Sequence, residues 1–101
     1  MQTTVTSNDG NAIIRLQGRF DFNTHRDFRD ATENAVGLAN TREVVVDLGG
    51  VDYLDSSALG MLLMLRDRAR GVNKAVSLVN CRGAVKQVLD IANFGKLFTI
   101  A

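Results

Sequence analysis

The stretch Glu43-Val44-Val45-Val46-Asp47-Leu48-Gly49-Gly50-Val51-Asp52-Tyr53-Leu54-Asp55-Ser56-Ser57 decides how the rest of the chain is arranged. Its first six residues are a nearly continuous β-branched run, the pattern of a strand buried on both faces, so they predict a central strand that Gly49-Gly50 brings to an end. Asp55 and Ser56 are both good helix caps. The apolar residues that follow predict a helix running through Arg66-Asp67-Arg68-Ala69-Arg70 and stopping at Gly71. A buried strand that leads through a short loop into a helix is half of a βαβ unit, and it sets the expectation of a parallel sheet.

The flanking segments complete that unit. Upstream, two β-prone segments near residues 2–7 and 12–17 enclose Asn8-Asp9-Gly10-Asn11, whose Asp-Gly pair signals a hairpin. The segment 24–38 carries Phe28, Ala31, Ala35 and Leu38 at helical spacing, with Asn23 or Thr24 available as the cap. Downstream, residues 75–79 read as a strand, 84–92 as a helix with Val85, Val88, Leu89 and Ala92 on one face, and 97–100 as a last short strand. The expected fold is α/β in the order ββαβαβαβ: a mixed, mainly parallel sheet with an antiparallel first strand and right-handed crossovers.

Composition narrows the function. At 101 residues and 46% hydrophobic content the chain is expected to be a single domain, 1–101, with one core that needs neither metal nor disulfide. The charges sum to +1 and the basic residues are scattered, so no stripe for nucleic-acid phosphates forms. One cysteine, Cys81, and one histidine, His25, supply neither an internal disulfide nor a zinc-ligand spacing. The polar start of the chain lacks a signal-peptide pattern, and the longest apolar run, 61–65, is too short to cross a bilayer; the expectation is a soluble, cytoplasmic protein. No Gly-x-Ser-x-Gly elbow and no phosphate loop ending in Lys-Ser/Thr is present, so neither a serine hydrolase nor an NTPase is expected. His25 reads as a solvated surface residue, and Cys81 as a small buried hydrophobe.

In open α/β sheets function collects beyond the carboxyl ends of the parallel strands, which is where residues 49–55 lead into the second helix. Ser56 and Ser57 open that helix, where unpaired backbone N–H groups and the helix dipole favour negative charge. Taken alone, the Asp-Ser-Ser triplet reads as an ordinary helix cap. Along the same helix Ser57, Met61, Met64 and Arg68 form one stripe opposite Leu59, Leu62, Leu65 and Ala69. The Leu/Ala stripe is the expected core, which leaves Met61 and Met64 on a partner-facing surface suited to flexible side chains. The alternative is that a neighbouring element buries both methionines. Phe20 and Phe22 flank Asp21, and the sequence leaves either as a core residue or an exposed docking feature, with at least one in the core.

Residues 51–60, Val-Asp-Tyr-Leu-Asp-Ser-Ser-Ala-Leu-Gly, resemble the signature of STAS-domain anti-anti-sigma factors: Asp-Ser-Ser or Asp-Ser-Thr, a small residue, Leu and Gly. Gly18-Arg19-Phe20-Asp21 is similar to the family's Gly-Glu-Leu-Asp, and the likeness spans essentially the whole chain. The resemblance implies that Ser56 is a phosphoacceptor, with Asp55 the acidic residue before it and Asp21 in the facing loop. It implies an anti-sigma factor with a serine-kinase fold as partner, bound by the dephosphorylated protein so that a sigma factor is released. A PP2C-type phosphatase, in some systems fused to a response-regulator receiver, resets the switch. On this reading the chain is no enzyme and needs no cofactor. Asp21, Asp55, Ser57, Met61, Met64 and Arg68 are the expected partner contacts, and the free protein is expected to be a monomer. Arg19 and Phe20 depart from the family's Glu-Leu and bear on which partner is recognised. The competing reading is a cytoplasmic STAS adaptor subunit of an ABC-type lipid transporter, with the same fold.

Overall fold

The computed structural model describes residues 1–101. Strands β1 (Gln2–Asn8), β2 (Asn11–Phe20), β3 (Glu43–Leu54), β4 (Ala75–Val79) and β5 (Thr99–Ile100) alternate after the first pair with helices α1 (His25–Val36), α2 (Ser56–Gly71) and α3 (Gly83–Ile91). The sheet order is β1-β2-β3-β4-β5, with β3 in the middle as its β-branched run predicted. Only the β1–β2 pair is antiparallel. Its two-residue turn has Asp9 at φ 52° and Gly10 at φ 85°, the positive pair that a tight hairpin requires.

Neighbouring parallel strands joined in order by right-handed crossovers carry their helices on one face. The alternation follows: Ala12, Ile14, Leu16, Val44, Val46 and Leu48 are buried, while Ile13, Arg15, Val45 and Asp47 between them are partly or fully exposed. Twenty-three buried apolar residues form one core, including Phe28, Ala31 and Ala35 of α1, Leu62 and Leu65 of α2, and Val85 and Leu89 of α3. Phe20 lies fully inside it with its ring 4.8 Å from that of Phe28. Lys74 fastens the end of α1, its ammonium donating to the carbonyls of Val36 and Leu38 and to Thr41 Oγ1.

The structure corrects the sequence reading in three places. β3 does not stop at Gly49-Gly50 but continues to Leu54, because the lengthened β2 pairs with it as far as Phe20↔Leu54. The register slips between Arg15 and Gln17 and again between Gly18 and Arg19, each time leaving an extra residue on β3. These bulges bend the strand end and space the inward residues Leu48, Val51 and Leu54 by three instead of two. Gly50 is needed at the first bulge, since a Cβ there would lie 2.8 Å from the Leu16 carbonyl oxygen.

The start of the first helix is the second correction. Neither Asn23 nor Thr24 caps it through a side chain. Asp21 caps a short 3₁₀ turn, Phe22–Thr24, that precedes α1. The third is Met61, expected on a partner-facing stripe but only 5% exposed. The buried set of α2 is Ala58, Met61, Leu62, Leu65 and Ala69, with Leu59 partly covered. Because α1 packs along that flank of α2, the core stripe is rotated toward Met61 and away from Leu59. Met64 remains outside, 53% exposed.

Candidate functional site

At the carboxyl ends of β2 and β3 two turns meet. The Asp55 N–H donates to the Phe20 carbonyl at 3.3 Å, and the Phe22 N–H donates back to Asp55 Oδ2 at 3.2 Å. The same carboxylate caps α2, its Oδ1 accepting from the Ala58 N–H at 2.9 Å. Asp55 thus holds the start of α2 and the turn before α1 together with its two oxygens. On the facing turn Asp21 and Thr24 form a reciprocal cap. Asp21 Oδ1 accepts from the Asn23 N–H at 3.0 Å, the Asp21 N–H donates to Thr24 Oγ1 at 3.2 Å, and the Thr24 hydroxyl donates to the Asp21 carbonyl at 2.8 Å. Asp21 and Asp55, 34 positions apart in sequence, become neighbours through these turns.

Ser56 is the first residue of α2 and is exposed; Ser57 is half-buried. With Asp55 serving as the cap, the Ser56 hydroxyl is not spent on the helix. Three backbone N–H groups of the first turn lack intrahelical partners, and Asp55 takes only that of Ala58, so those of Ser56 and Ser57 point outward. This end of the helix can receive an anion, supported by the positive pole of a 16-residue dipole.

The remaining predicted residues divide. Met64 lies on α2 about 12 Å beyond Ser56, at 1.5 Å of rise per residue. It borders a groove of 260 Å³ between α1 and α2, lined also by Phe28, Met61 and Arg68. Arg68 is engaged with Glu33 of α1 in an exposed ion pair that joins the two helices. Met61 is almost fully buried beneath the groove, so of the two methionines only Met64 is exposed there.

Two features of the site go beyond what the local pattern settles. Arg19 and Tyr53 are paired across β2 and β3, the guanidinium 4.1 Å above the tyrosine ring and 3.5 Å from Asp21. The extension of β3 that places Tyr53 there depends on the bulges, which leave no single-residue signal. Phe22, left open between core and surface, is 72% exposed. The Asp-x-x-Thr spacing of 21–24 was a legible sign of the capped turn that turns it outward.

No three His, Cys, Asp or Glu side chains converge as a metal would require. Cys81, half-buried after β4, has its thiol pKa pushed up by burial, an effect that Lys86 opposes. No helix is long and apolar enough to cross a membrane.

The sequence profile of the family described as "Mlab, STAS domain" matches residues 3–99. A "STAS-domain containing protein" of Pseudomonas aeruginosa (strain UCBPP-PA14) is 52% identical over 100 residues, which cover 98% of this chain and 97% of that one. BtrV of Bordetella bronchiseptica (strain ATCC BAA-588 / NCTC 13252 / RB50), named as an anti-sigma factor antagonist, is 30% identical over 100% of this chain and 86% of its own. Among solved structures, the phosphorylated form of the Bacillus cell fate determinant SpoIIAA superposes with a TM-score of 0.72 at 18% identity, covering 99% of this chain and 91% of that one. The sheet with its antiparallel first strand, the capped Asp-Ser-Ser helix and these likenesses agree: the chain belongs to the STAS-domain family.

Proposed function

We propose that this chain is an anti-sigma factor antagonist that works by partner switching. Its dephosphorylated form binds an anti-sigma factor that is also a serine kinase, a sigma factor is released, and phosphate on Ser56 ends the binding. The chain is substrate and ligand in this cycle, not catalyst, and a PP2C-type phosphatase restores it. The observation that carries the reading is the division of labour at the start of α2: Asp55 caps the helix, which leaves the exposed Ser56 hydroxyl free for modification. The name of BtrV and the phosphorylated form of SpoIIAA support the partner class and the modification.

The switch follows from charge. A phosphoserine adds about −1.5 to −2 at pH 7. Placed beside Asp55, it finds the unpaired N–H groups of the helix terminus, so the fold tolerates it. A partner surface that had desolvated a neutral hydroxyl meets an unpaired dianion instead, and binding fails.

The test uses the purified chain, a purified anti-sigma kinase from the same cell, and ATP. One phosphate on Ser56 by mass spectrometry is expected, with Ser56→Ala binding whether or not ATP is present and Ser56→Asp not binding. Phosphate found only on Ser57, or Ser56→Asp binding as tightly as Ser56→Ala, refutes the switch. Copurification with a transporter ATPase and permease in place of an anti-sigma factor would identify the adaptor role instead.

A further inference from the structure

We infer that Phe22 is the side chain that anchors the anti-sigma partner, entering an apolar socket on it beside the surface that covers Ser56. This rests on the partner-switching reading above and names the contact that selects the partner. Phe20 and Phe22 are two residues apart, yet Phe20 is fully buried against Phe28 while Phe22 is the most exposed aromatic side chain of the molecule, at 72%. A phenyl left in water forgoes the free energy that burial supplies, and no neighbouring element of this chain covers it.

Its mounting is rigid. The Phe22 N–H is held by Asp55 Oδ2, and the turn that carries it is closed by the reciprocal bonds of Asp21 and Thr24. Most of the ordering that docking requires is therefore complete in the free protein, the condition under which one aromatic residue supplies a large share of an affinity. Through Asp55 the Phe22 backbone is tied to the residue before Ser56, so a partner seated on the unmodified serine meets the phenyl in the same footprint. Tyr53, half-exposed with Arg19 stacked on it, widens the patch with residue types enriched at interface centres. Of the other exposed large apolar residues, Leu63 and Met64 lie on α2 beyond its first turn, Ile91 lies on α3, and Val72 and Leu97 lie away from the Ser56 turn in sequence and element; none carries a comparable tie to Asp55.

The experiment titrates purified anti-sigma kinase from the same cell with wild type, Phe22→Ala and Phe22→Leu, and follows phosphorylation of Ser56 by the same kinase. Phe22→Ala should keep the wild-type melting temperature and lose roughly 30-fold or more in affinity, the loss expected for an interface hot spot. Phe22→Leu should fall between the two. In the phosphorylation assay KM should rise for Phe22→Ala with kcat unchanged, as for a contact made equally before and during transfer. If wild type and Phe22→Ala bind equally well, the anchor is refuted and the switch stands. If no anti-sigma kinase binds wild type at all, the functional reading falls and the anchor with it. Sedimentation that shows a wild-type dimer lost in Phe22→Ala, with kinase affinity unchanged, would reassign Phe22 to self-association and overturn the inference.

Discussion

Replacing Asp55 with alanine removes both bonds of the carboxylate that joins the two site turns. The cap on Ala58 N–H is worth about 1 kcal/mol by comparison with other N-cap deletions. The bond from Phe22 N–H, at 3.2 Å and solvent-accessible, adds about 1 kcal/mol. The expected destabilisation is therefore about 2 kcal/mol. An unfolding entropy of about 2.1 cal/mol/K per residue gives about 0.2 kcal/mol/K for 101 residues, so the melting temperature should drop by about 9 °C. Thermal unfolding followed by circular dichroism measures the drop, and urea titration at 25 °C checks the free energy. Asp55→Asn keeps a side-chain oxygen for the cap and should recover at least half of the loss. Amide hydrogen exchange at Phe22 should accelerate in Asp55→Ala but not in Ser56→Ala. A melting temperature within about 2 °C of wild type for Asp55→Ala, with Phe22 exchange unchanged, would show that the carboxylate does not hold the turns together in solution.

The two methionines of α2 separate core from surface. Met61→Ala should cost about 2–4 kcal/mol in urea unfolding because it opens a cavity under α1, whereas Met64→Lys should stay within about 0.5 kcal/mol of wild type; equal effects would refute the burial assignment. Burial raises the Cys81 pKa, so the native state favours the neutral thiol. Its contribution to stability is full below the unfolded thiol's ordinary value of about 8.5 and is lost as pH rises past it. Iodoacetamide labelling should therefore rise at higher pH in the native protein than in urea, and a native midpoint at or below the unfolded one would contradict the assignment.

Much of the fold was written in local sequence. The Val44–Val46 run marked the central strand, Asp9-Gly10 the hairpin, and the spacing of Phe28, Ala31 and Ala35 the buried face of α1, because each signal is carried by residues that are neighbours on one element. The position of the candidate site was legible to the same extent: Asp55 and Ser56 sit at a strand-to-helix turn that the pattern alone locates. What local pattern could not decide was which of several apolar candidates faces inward. The stretch 58–65 is apolar nearly all round apart from Gly60, so its periodicity is flat, and Met61 became core only because α1 lies along that flank.

The strand and helix order, the antiparallel start and the serine at the mouth of α2 follow from local pattern, since propensity, turn chemistry and capping act over a few residues. Tertiary structure alone decided that β3 runs on through Gly49-Gly50, that Asp55 binds a turn 33 residues away, and that Phe20 turns in while Phe22 turns out. Those outcomes depend on pairing between strands and on which surfaces the helices cover. Such contacts form only when distant segments meet, and no local window of the chain contains them.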